Sequence, residues 1–220
     1  MTSYDAVLFD NDGILVEPPP VDTQTEATRT AFGEVGVDEP DPEHVAAVVD
    51  GVPVDRLNEI CAAYDLERER FWAAREYYDE QSQLTEFRDG TRRSYSDTGV
   101  VDDLEVPCGV VSNNHHSTLE FVLEYFDLEE SFDTYYGREK TIESLELKKP
   151  NTHYLERALT DLEVDSALYV GDSESDVVAA QRAGLESVFV RRSHCQDVDL
   201  EVTPTYEVED LHGVKRLVQG

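Results

Sequence analysis

The sequence predicts an α/β fold: a parallel β-sheet with helices, and a helical segment inserted after the first strand. Three observations predict it. Short apolar runs alternate with helix-type periodicity, which is typical of parallel sheets. Residues 21–85 carry helix signals only. The length of 220 residues, 40% of them hydrophobic, suits one core plus an insertion.

Five apolar runs have the length and composition of strands. They are Asp5–Asp10, Val106–Ser112, Phe132–Gly137, Ala167–Asp172 and Ser187–Val190. Helical patterns follow the second and fourth runs. Ser117, with Glu120 three residues later, predicts a capping box at the first of these helices. Gly184 is predicted to end the second, because glycine tolerates the left-handed conformation that follows a helix.

The inserted segment separates the first two strands by 95 residues. Apolar residues at three- and four-residue spacings predict helices over Asp55–Tyr64 and Leu66–Gln83. Three prolines, Pro18–Pro20, precede the segment, and Gly90 follows it. We therefore expect a helical subdomain of about 70 residues to be inserted into the sheet-forming chain.

Charge is the extreme feature of the composition. The chain has 49 acidic and 18 basic residues, a net charge of −31, and only four of the basic residues are lysine. This excludes nucleic-acid binding by phosphate neutralisation, and it disfavours an anionic membrane surface as a partner. The acids are scattered along the chain. A self-repelling surface is tolerable at molar salt, where the screening length is about 3 Å, so the composition predicts a halophilic protein.

Cysteine usage and the N-terminus bear on the compartment. Cys61, Cys108 and Cys195 are far apart in sequence and form no CxxC pair, which argues against a disulfide framework or a zinc site. The first ten residues lack a basic region followed by an apolar run, and no apolar stretch approaches 18 residues. The sequence thus predicts a soluble, reduced, cytoplasmic protein.

Polar residues follow three of the predicted strands. Asp10 and Asp12 end the first, with Gly13 after them, and Ser112 and Asn113 end the second. Ligands of parallel sheets bind at the carboxyl ends of the strands, so these side chains are candidates for one site. Each segment alone is also compatible with an ordinary polar turn. Lys149, before Pro150, is a candidate fixed positive charge for an anion.

The fourth strand ends in Gly171 and Asp172, with Ser173 and Asp176 after them. Hard divalent cations such as Mg²⁺ bind carboxylate oxygen. Asp172 beside Asp10 would form such a site. Asp176 has two possible roles, as a metal ligand or as part of a capping box with Ser173.

Taken in order, Asp-x-Asp-Gly, Ser-Asn, Lys-Pro and Gly-Asp-Ser-x-x-Asp resemble the four motifs of the haloacid dehalogenase superfamily, in its helical-cap subgroup of phosphoglycolate phosphatase-like enzymes. The resemblance implies a three-layer Rossmann-like parallel sheet core, residues 1–15 and 86–220, with an inserted α-helical cap, residues 16–85. Two positions depart from the usual pattern: Ile14 replaces a frequent Thr, and Thr152 replaces a second proline.

The resemblance also implies roles. Asp10 is the nucleophile that forms an aspartyl-phosphate, Asp12 the general acid and base, and Lys149 a catalytic and phosphate-binding cation. Mg²⁺ is held by Asp10, the backbone carbonyl of Asp12, Asp172 and, as a candidate, Asp176. Ser112 and the backbone of Asn113 bind phosphoryl oxygens.

Other reactions of this superfamily are less compatible with the sequence. Dehalogenases lack the second aspartate, which Asp12 supplies here. The phosphonate-cleaving branch needs a cap lysine, and the first lysine is Lys140. Sugar phosphomutases of the β-phosphoglucomutase type usually carry a His shortly after the first motif, and this segment has none; they remain the alternative. A receiver-like phospho-accepting module is the non-enzymatic alternative, although such modules are about half this length.

The predicted substrate is a small phosphorylated metabolite such as phosphoglycolate. Residues 16–85 hold 17 acidic residues and five arginines, which fits poorly with a large polyanion. Residues 50–56 resemble the family's substrate-reading cap loop, so Arg56 is a candidate for a substrate carboxylate, although an exposed arginine at a helix start is the more common situation.

Overall fold

The computed structural model describes residues 4–220 and contains a six-stranded sheet in the order β3-β2-β1-β4-β5-β6. β1 pairs in parallel with β2 and β4, and β5 pairs in parallel with β4 and β6. The strands are β1 Val7–Phe9, β2 Cys108–His115, β3 Thr134–Arg138, β4 Leu168–Gly171, β5 Glu186–Val190 and β6 Tyr206–Val208. The predicted α/β fold and its five strands are confirmed, and β6 is a short edge strand that the sequence analysis did not identify.

Eight α-helices occur in the described chain. They are α1 Val21–Glu34, α2 Pro42–Val49, α3 Val54–Ala63, α4 Arg68–Asp89, α5 His116–Tyr125, α6 His153–Asp161, α7 Glu174–Arg182 and α8 Leu211–Gln219. The predicted cap at Ser117 is wrong: the N-cap of α5 is His115, two residues earlier, and it makes no side-chain capping hydrogen bond. Gly184 does follow α7 with a φ of 73°, as predicted.

The sheet is covered by helices on both faces. Successive residues of β1 point to opposite sides: Val7 and Phe9 pack with residues of α5 and α8, whereas Leu8 packs with residues of α6 and α7. The central strands β1 and β4 are short and buried along their whole length, as expected for a parallel sheet in a three-layer arrangement.

The described chain divides into two compact units. We call the first the core unit: the described residues up to Pro18, Arg93–Gly137 and Leu147–Gly220. The second, the helical unit, consists of Pro19–Arg92 together with Arg138–Glu146. The sequence analysis had assigned residues 138–146 to the core. They join the helices because Arg138 forms an ion pair with Glu76 and Ile142 lies in the helical unit's apolar core.

Helix α4 begins two residues later than the apolar pattern predicted and continues six residues past Gln83, to Asp89. Its buried face begins with Phe71 and Trp72 and then changes to charged and amide side chains, so the apolar period ends before the helix does. Gly90, with a φ of 78°, provides the left-handed residue that ends it.

The three cysteines are free and buried. Among residues 4–220, none of the helices combines the length and the hydropathy needed to cross a membrane.

Candidate active site

The candidate site lies at the carboxyl ends of β1, β2 and β4, which are neighbours in the sheet. Phe9, the last residue of β1, is aligned with Val110 of β2 and with Val170 of β4. Asp10 follows directly, and its backbone N–H donates to the carbonyl of Val170 at 2.8 Å. This register brings Asp10 beside the ends of the strands that carry Ser112 and Asp172, as the sequence predicted for a shared edge.

Lys149 is fixed in the interior of this cluster. Its Nζ lies 2.8 Å from Oδ1 of Asp10 and 2.7 Å from Oδ1 of Asp176. The ammonium also donates to the carbonyl of Val111 at 3.0 Å and to the hydroxyl of Tyr169 at 2.8 Å. Because the side chain is only 2% exposed and its ammonium has four oxygen atoms within 3.0 Å, Lys149 is a charge of fixed position rather than a surface lysine.

Asn113 holds the backbone of Lys149 through its side chain. Its Oδ1 accepts from the Lys149 N–H at 2.7 Å, and its Nδ2 donates to the Lys149 carbonyl at 3.2 Å. This pair of hydrogen bonds ties the end of β2 to the loop before α6. These bonds involve the side chain of Asn113, and the contact of its backbone with phosphoryl oxygens stays a prediction.

Both carboxylate oxygens of Asp12 accept amide hydrogen bonds. Asn11 Nδ2 donates to Oδ1 at 3.0 Å, and Asn114 Nδ2 donates to Oδ2 at 2.9 Å. The backbone N–H of Asn114 also donates to the hydroxyl of Ser112 at 3.1 Å. Asn114, which the sequence analysis did not single out, therefore orients Asp12 and Ser112 together.

Asp176 is enclosed by partners. Its Oδ2 accepts from the backbone N–H groups of Asp172 and Ser173, at 3.2 and 3.0 Å, and from the Ser173 hydroxyl at 2.6 Å. Ser173 and Asp176 form the capping box of α7. A Cβ on Gly171 would lie 2.3 Å from the Cβ of Asp176, so this approach needs glycine. The arrangement favours an orienting role for Asp176 over direct metal ligation.

Negative charge exceeds positive charge in the site. Burial raises the pKa of Asp10 well above its usual range, Lys149 opposes this, and the neighbouring carboxylates of Asp176, Asp172 and Asp12 add to it. Burial also raises the pKa of Asp172, against a hydrogen bond from His194. For Lys149, burial lowers the pKa, but the carboxylates of Asp10 and Asp176 outweigh it, so the ammonium stays charged.

The residues present fit a hard divalent cation. Asp10, Asp172 and Asp176 each offer a carboxylate oxygen, and these oxygens lie within 4.8 Å of one another. Oxygen donors of this kind suit Mg²⁺. A cation would also stabilise the ionised forms of Asp10 and Asp172, whose pKa values are raised by burial and, to a smaller extent, by the neighbouring carboxylates.

The structure brings together seven of the eight predicted site residues, all in the core unit: Asp10, Asp12, Ser112, Asn113, Lys149, Asp172 and Asp176. Arg56, the eighth, belongs to the helical unit, where its guanidinium pairs with Glu59 at 2.8 Å. Its contact with a substrate stays a prediction. Lys140 also belongs to the helical unit, so this unit does contain a lysine; its Nζ is paired with Glu80.

Sequence reasoning missed Tyr169 and His194 as site neighbours. Tyr169 lies two residues before Gly171 on β4 and reaches Lys149 beneath the site. His194 lies in the loop after β5, the strand next to β4, and contacts Asp172. The rule that neighbouring parallel strands present their carboxyl ends at one edge would have directed attention to that loop.

Comparisons with known proteins agree with this geometry. A sequence profile described as haloacid dehalogenase-like hydrolase matches residues 7–190. A pyrophosphatase PpaX of Bacillus cereus is 34% identical over 84 residues, a match that spans 37% of this chain and 37% of that protein. The chain thus covers well under two thirds of this curated relative.

Two solved structures share the fold at low identity. CbbY of Rhodobacter sphaeroides, in complex with phosphate, has a TM-score of 0.71 at 18% identity, covering 94% of this chain and 95% of that one. A predicted phosphoglycolate phosphatase of Haemophilus somnus has a TM-score of 0.68 at 19% identity, covering 100% of both chains.

Proposed function

Because the chain belongs to the haloacid dehalogenase-like hydrolase family, we propose that it is a magnesium-dependent phosphatase acting on a small phosphomonoester through an aspartyl-phosphate. One observation carries the proposal. Both donors recorded at Asp10, the ammonium of Lys149 and the N–H of Asn11, approach Oδ1 at 2.8 Å. Oδ2 is therefore left to attack phosphorus, in a side chain whose position is fixed.

In the first step, an Asp10 carboxylate oxygen forms a bond to phosphorus while the ester P–O bond breaks. The leaving alkoxide takes a proton from Asp12. In the second step, Asp12 takes a proton from a water molecule while the water oxygen forms a bond to phosphorus and the bond between phosphorus and Asp10 breaks, which regenerates the Asp10 carboxylate and releases inorganic phosphate. Lys149 and Ser112 bind phosphoryl oxygens. Bound Mg²⁺, held by Asp10, the Asp12 carbonyl and Asp172, would neutralise the charge of the approaching anions.

The hydrogen bonds at Asp12 support this assignment. Asn11 and Asn114 each donate to one of its oxygens, so the side chain has a defined orientation beside Ser112. A general acid and base needs such a fixed position, because proton transfer requires hydrogen-bond reach to the reacting oxygen.

Substitution of the acid–base residue tests the mechanism. We expect Asp12→Asn to fold like the wild type and to lose about 10²–10⁴-fold in turnover of an alkyl phosphate. With p-nitrophenyl phosphate, whose leaving group needs little protonation, it should give a burst of nitrophenol and accumulate a phosphoenzyme detectable by mass. Asp10→Asn should give neither. Wild-type turnover of an alkyl phosphate by Asp12→Asn would refute the assigned role.

The substrate proposal is a small phosphomonoester of the phosphoglycolate type. It follows from the resemblance of the motifs and from the acidic helical segment, which fits poorly with a large polyanion. A panel of 2-phosphoglycolate, pyrophosphate and sugar phosphates, assayed at high salt with Mg²⁺, tests it. Isomerisation of a sugar phosphate without phosphate release would favour the mutase alternative. Arg56→Ala in the same panel tests whether Arg56 contacts the leaving group.

A further inference from the structure

The carboxylate of Asp172 has a partner that none of the four motifs supplies. His194, in the loop after β5, places Nε2 at 2.5 Å from Oδ2 of Asp172. An ionised carboxylate can only accept hydrogen bonds, so Nε2 carries the proton and donates it. This contact engages Oδ2 and leaves Oδ1 of the carboxylate available to a cation.

The imidazole of His194 is itself held in place. The hydroxyl of Tyr95 lies 3.3 Å from Nδ1, the nitrogen that accepts when a neutral ring carries its proton on Nε2. Burial raises the pKa of Tyr95 to about 12, so the phenol keeps the proton that it donates. Two hydrogen bonds, one at each ring nitrogen, thus define the orientation of the imidazole.

Tyr95 is anchored to the core unit through Arg192. The guanidinium of Arg192 lies 3.9 Å from the centre of the Tyr95 ring. It pairs with both oxygens of Asp97 at 2.9 Å and donates to the carbonyl of Ile14 at 2.9 Å. Asp97, Arg192, Tyr95 and His194 therefore form a continuous series of contacts that ends at Asp172.

The backbone leaves room for this contact. Gly13 has a φ of 83°, and a Cβ there would lie 1.8 Å from Oδ2 of Asp172 and 3.0 Å from Nε2 of His194. Any side chain at this position would occupy the space in which the two groups meet. The contact between Asp172 and His194 therefore depends on the glycine of the first motif.

We propose that His194 is a positioning residue for the metal centre: it holds Oδ2 of Asp172, so that Oδ1 faces the cation. The inference rests on the proposed function, because it presupposes Mg²⁺ at Asp172. Hydrogen bonds to ligating carboxylates fix their orientation, and loss of such partners typically costs about 10–100-fold in metal affinity.

Direct ligation by His194 is the competing arrangement, because Asp172, His194 and Cys195 also have potential ligand atoms within 4.8 Å of one another. Two observations disfavour it. The Cys195 thiol donates to the carbonyl of Val190 at 3.3 Å, and burial raises its pKa, which opposes the thiolate that a metal needs. Nε2 of His194 already donates to Asp172.

Magnesium binding, measured by calorimetry in high salt without substrate, tests the proposal. We expect His194→Ala to weaken Mg²⁺ affinity about 10–100-fold, and His194→Gln, which keeps an N–H donor, to recover part of the loss. Tyr95→Phe keeps the ring under Arg192 but removes the hydroxyl, so it should weaken binding less than His194→Ala. His212→Ala, at an exposed position of α8, is the matched control and should bind as the wild type does.

Several results would overturn the inference. Wild-type Mg²⁺ affinity in folded His194→Ala would do so. If His194→Ala fails to fold, wild-type Mg²⁺ affinity in Tyr95→Phe would overturn the inference instead. Nitrogen coupling from His194 in pulsed EPR of the Mn²⁺-loaded protein would show a direct ligand instead. Weakened binding in His194→Ala together with no phosphatase activity in the wild type would support this inference and refute the proposed function. A wild type that binds no Mg²⁺ would refute both.

Discussion

Both units of this protein bury charged side chains, but they balance the charge differently. In the helical unit, cations and carboxylates are paired: the buried Arg75 and Arg138 and the exposed Lys140 with the buried Glu76, Asp79 and Glu80. Arg138 binds Glu76 through two hydrogen bonds of 2.7 and 2.9 Å. In the core unit, a single ammonium, that of Lys149, faces the carboxylates of Asp10 and Asp176, with Asp172 near them.

This difference separates a structural cluster from a functional one. In a buried ion pair whose positive and negative charges cancel, neither side chain needs a further ion for charge compensation. Around Lys149, burial raises the pKa of Asp10 and Asp172, and the neighbouring carboxylates raise it further. Strongly perturbed carboxylates in a cleft are a mark of functional sites, because a cation or a substrate resolves the imbalance.

The largest stability effect is expected in the balanced cluster. Arg138→Met removes the bidentate partner of the buried Glu76 carboxylate and leaves it only Arg75, at 3.1 Å, so the free energy of unfolding should fall by up to about 3–5 kcal/mol. Denaturant unfolding measures it. Glu76→Gln added to Arg138→Met should recover part of the loss, because it removes the carboxylate charge that has lost this partner. Arg68→Met, at an exposed ion pair of the same unit, is the control and should change little.

If Arg138→Met unfolds at the same denaturant concentration as the wild type, the helical cluster does not stabilise the fold, and the contrast between the two units is lost.

Salt distinguishes surface charge from buried charge. With a net charge of −31, the wild type should unfold at least about 5 °C lower at about 0.1 M than at about 3 M KCl, a difference of about 2 kcal/mol. The loss of unfolding free energy in Arg138→Met, relative to the wild type, should vary less with salt, because buried pairs are screened less than exposed charges. Calorimetric scans of both proteins measure this. Equal wild-type transitions at the two salt concentrations would contradict halophilic adaptation.

The smallest effect is expected in the unbalanced cluster, and it has the opposite sign. Asp10→Asn removes one of the crowded carboxylates while Lys149 keeps Asp176, so in EDTA the variant should be more stable than the wild type by about 1 kcal/mol, or about 2–4 °C. Added Mg²⁺ should raise the transition of the wild type more than that of the variant. A less stable Asp10→Asn in EDTA would mean that the Lys149 pair outweighs the repulsion.

The order of the motifs was sufficient to predict the edge of the sheet at which the site lies. Three of the five predicted strands end in a polar residue, and parallel strands present those ends together. Asp10, Ser112 and Asp172 were identifiable for this reason, and Lys149 as one of only four lysines, placed before Pro150 at a helix start. The partners that orient them were not, because Asn114, Tyr169 and His194 act through contacts that join separate segments of the chain.

Two elements show where local patterns fail. Helix α4 continues past Gln83 because its buried face there is charged and paired with other segments, which an apolar period cannot detect. Residues 138–146 belong to the helical unit because Arg138 forms an ion pair with Glu76 of α4. The hydrogen bonds of Thr23 with Glu86 and of Arg138 with Glu76 join residues 63 and 62 positions apart, so no short window of sequence contains them.

The sequence by itself determined the α/β class, the helical insertion and the residue types of the reaction, because these depend on hydrophobic period, strand ends and the chemistry of single side chains. Only the tertiary structure decided which charges are paired and which are in surplus. It assigned Asp176 to the capping box and to Lys149, and it placed His194 against Asp172. The physical reason is that pairing and burial are properties of groups brought together by folding, and neither can be assigned to a residue in isolation.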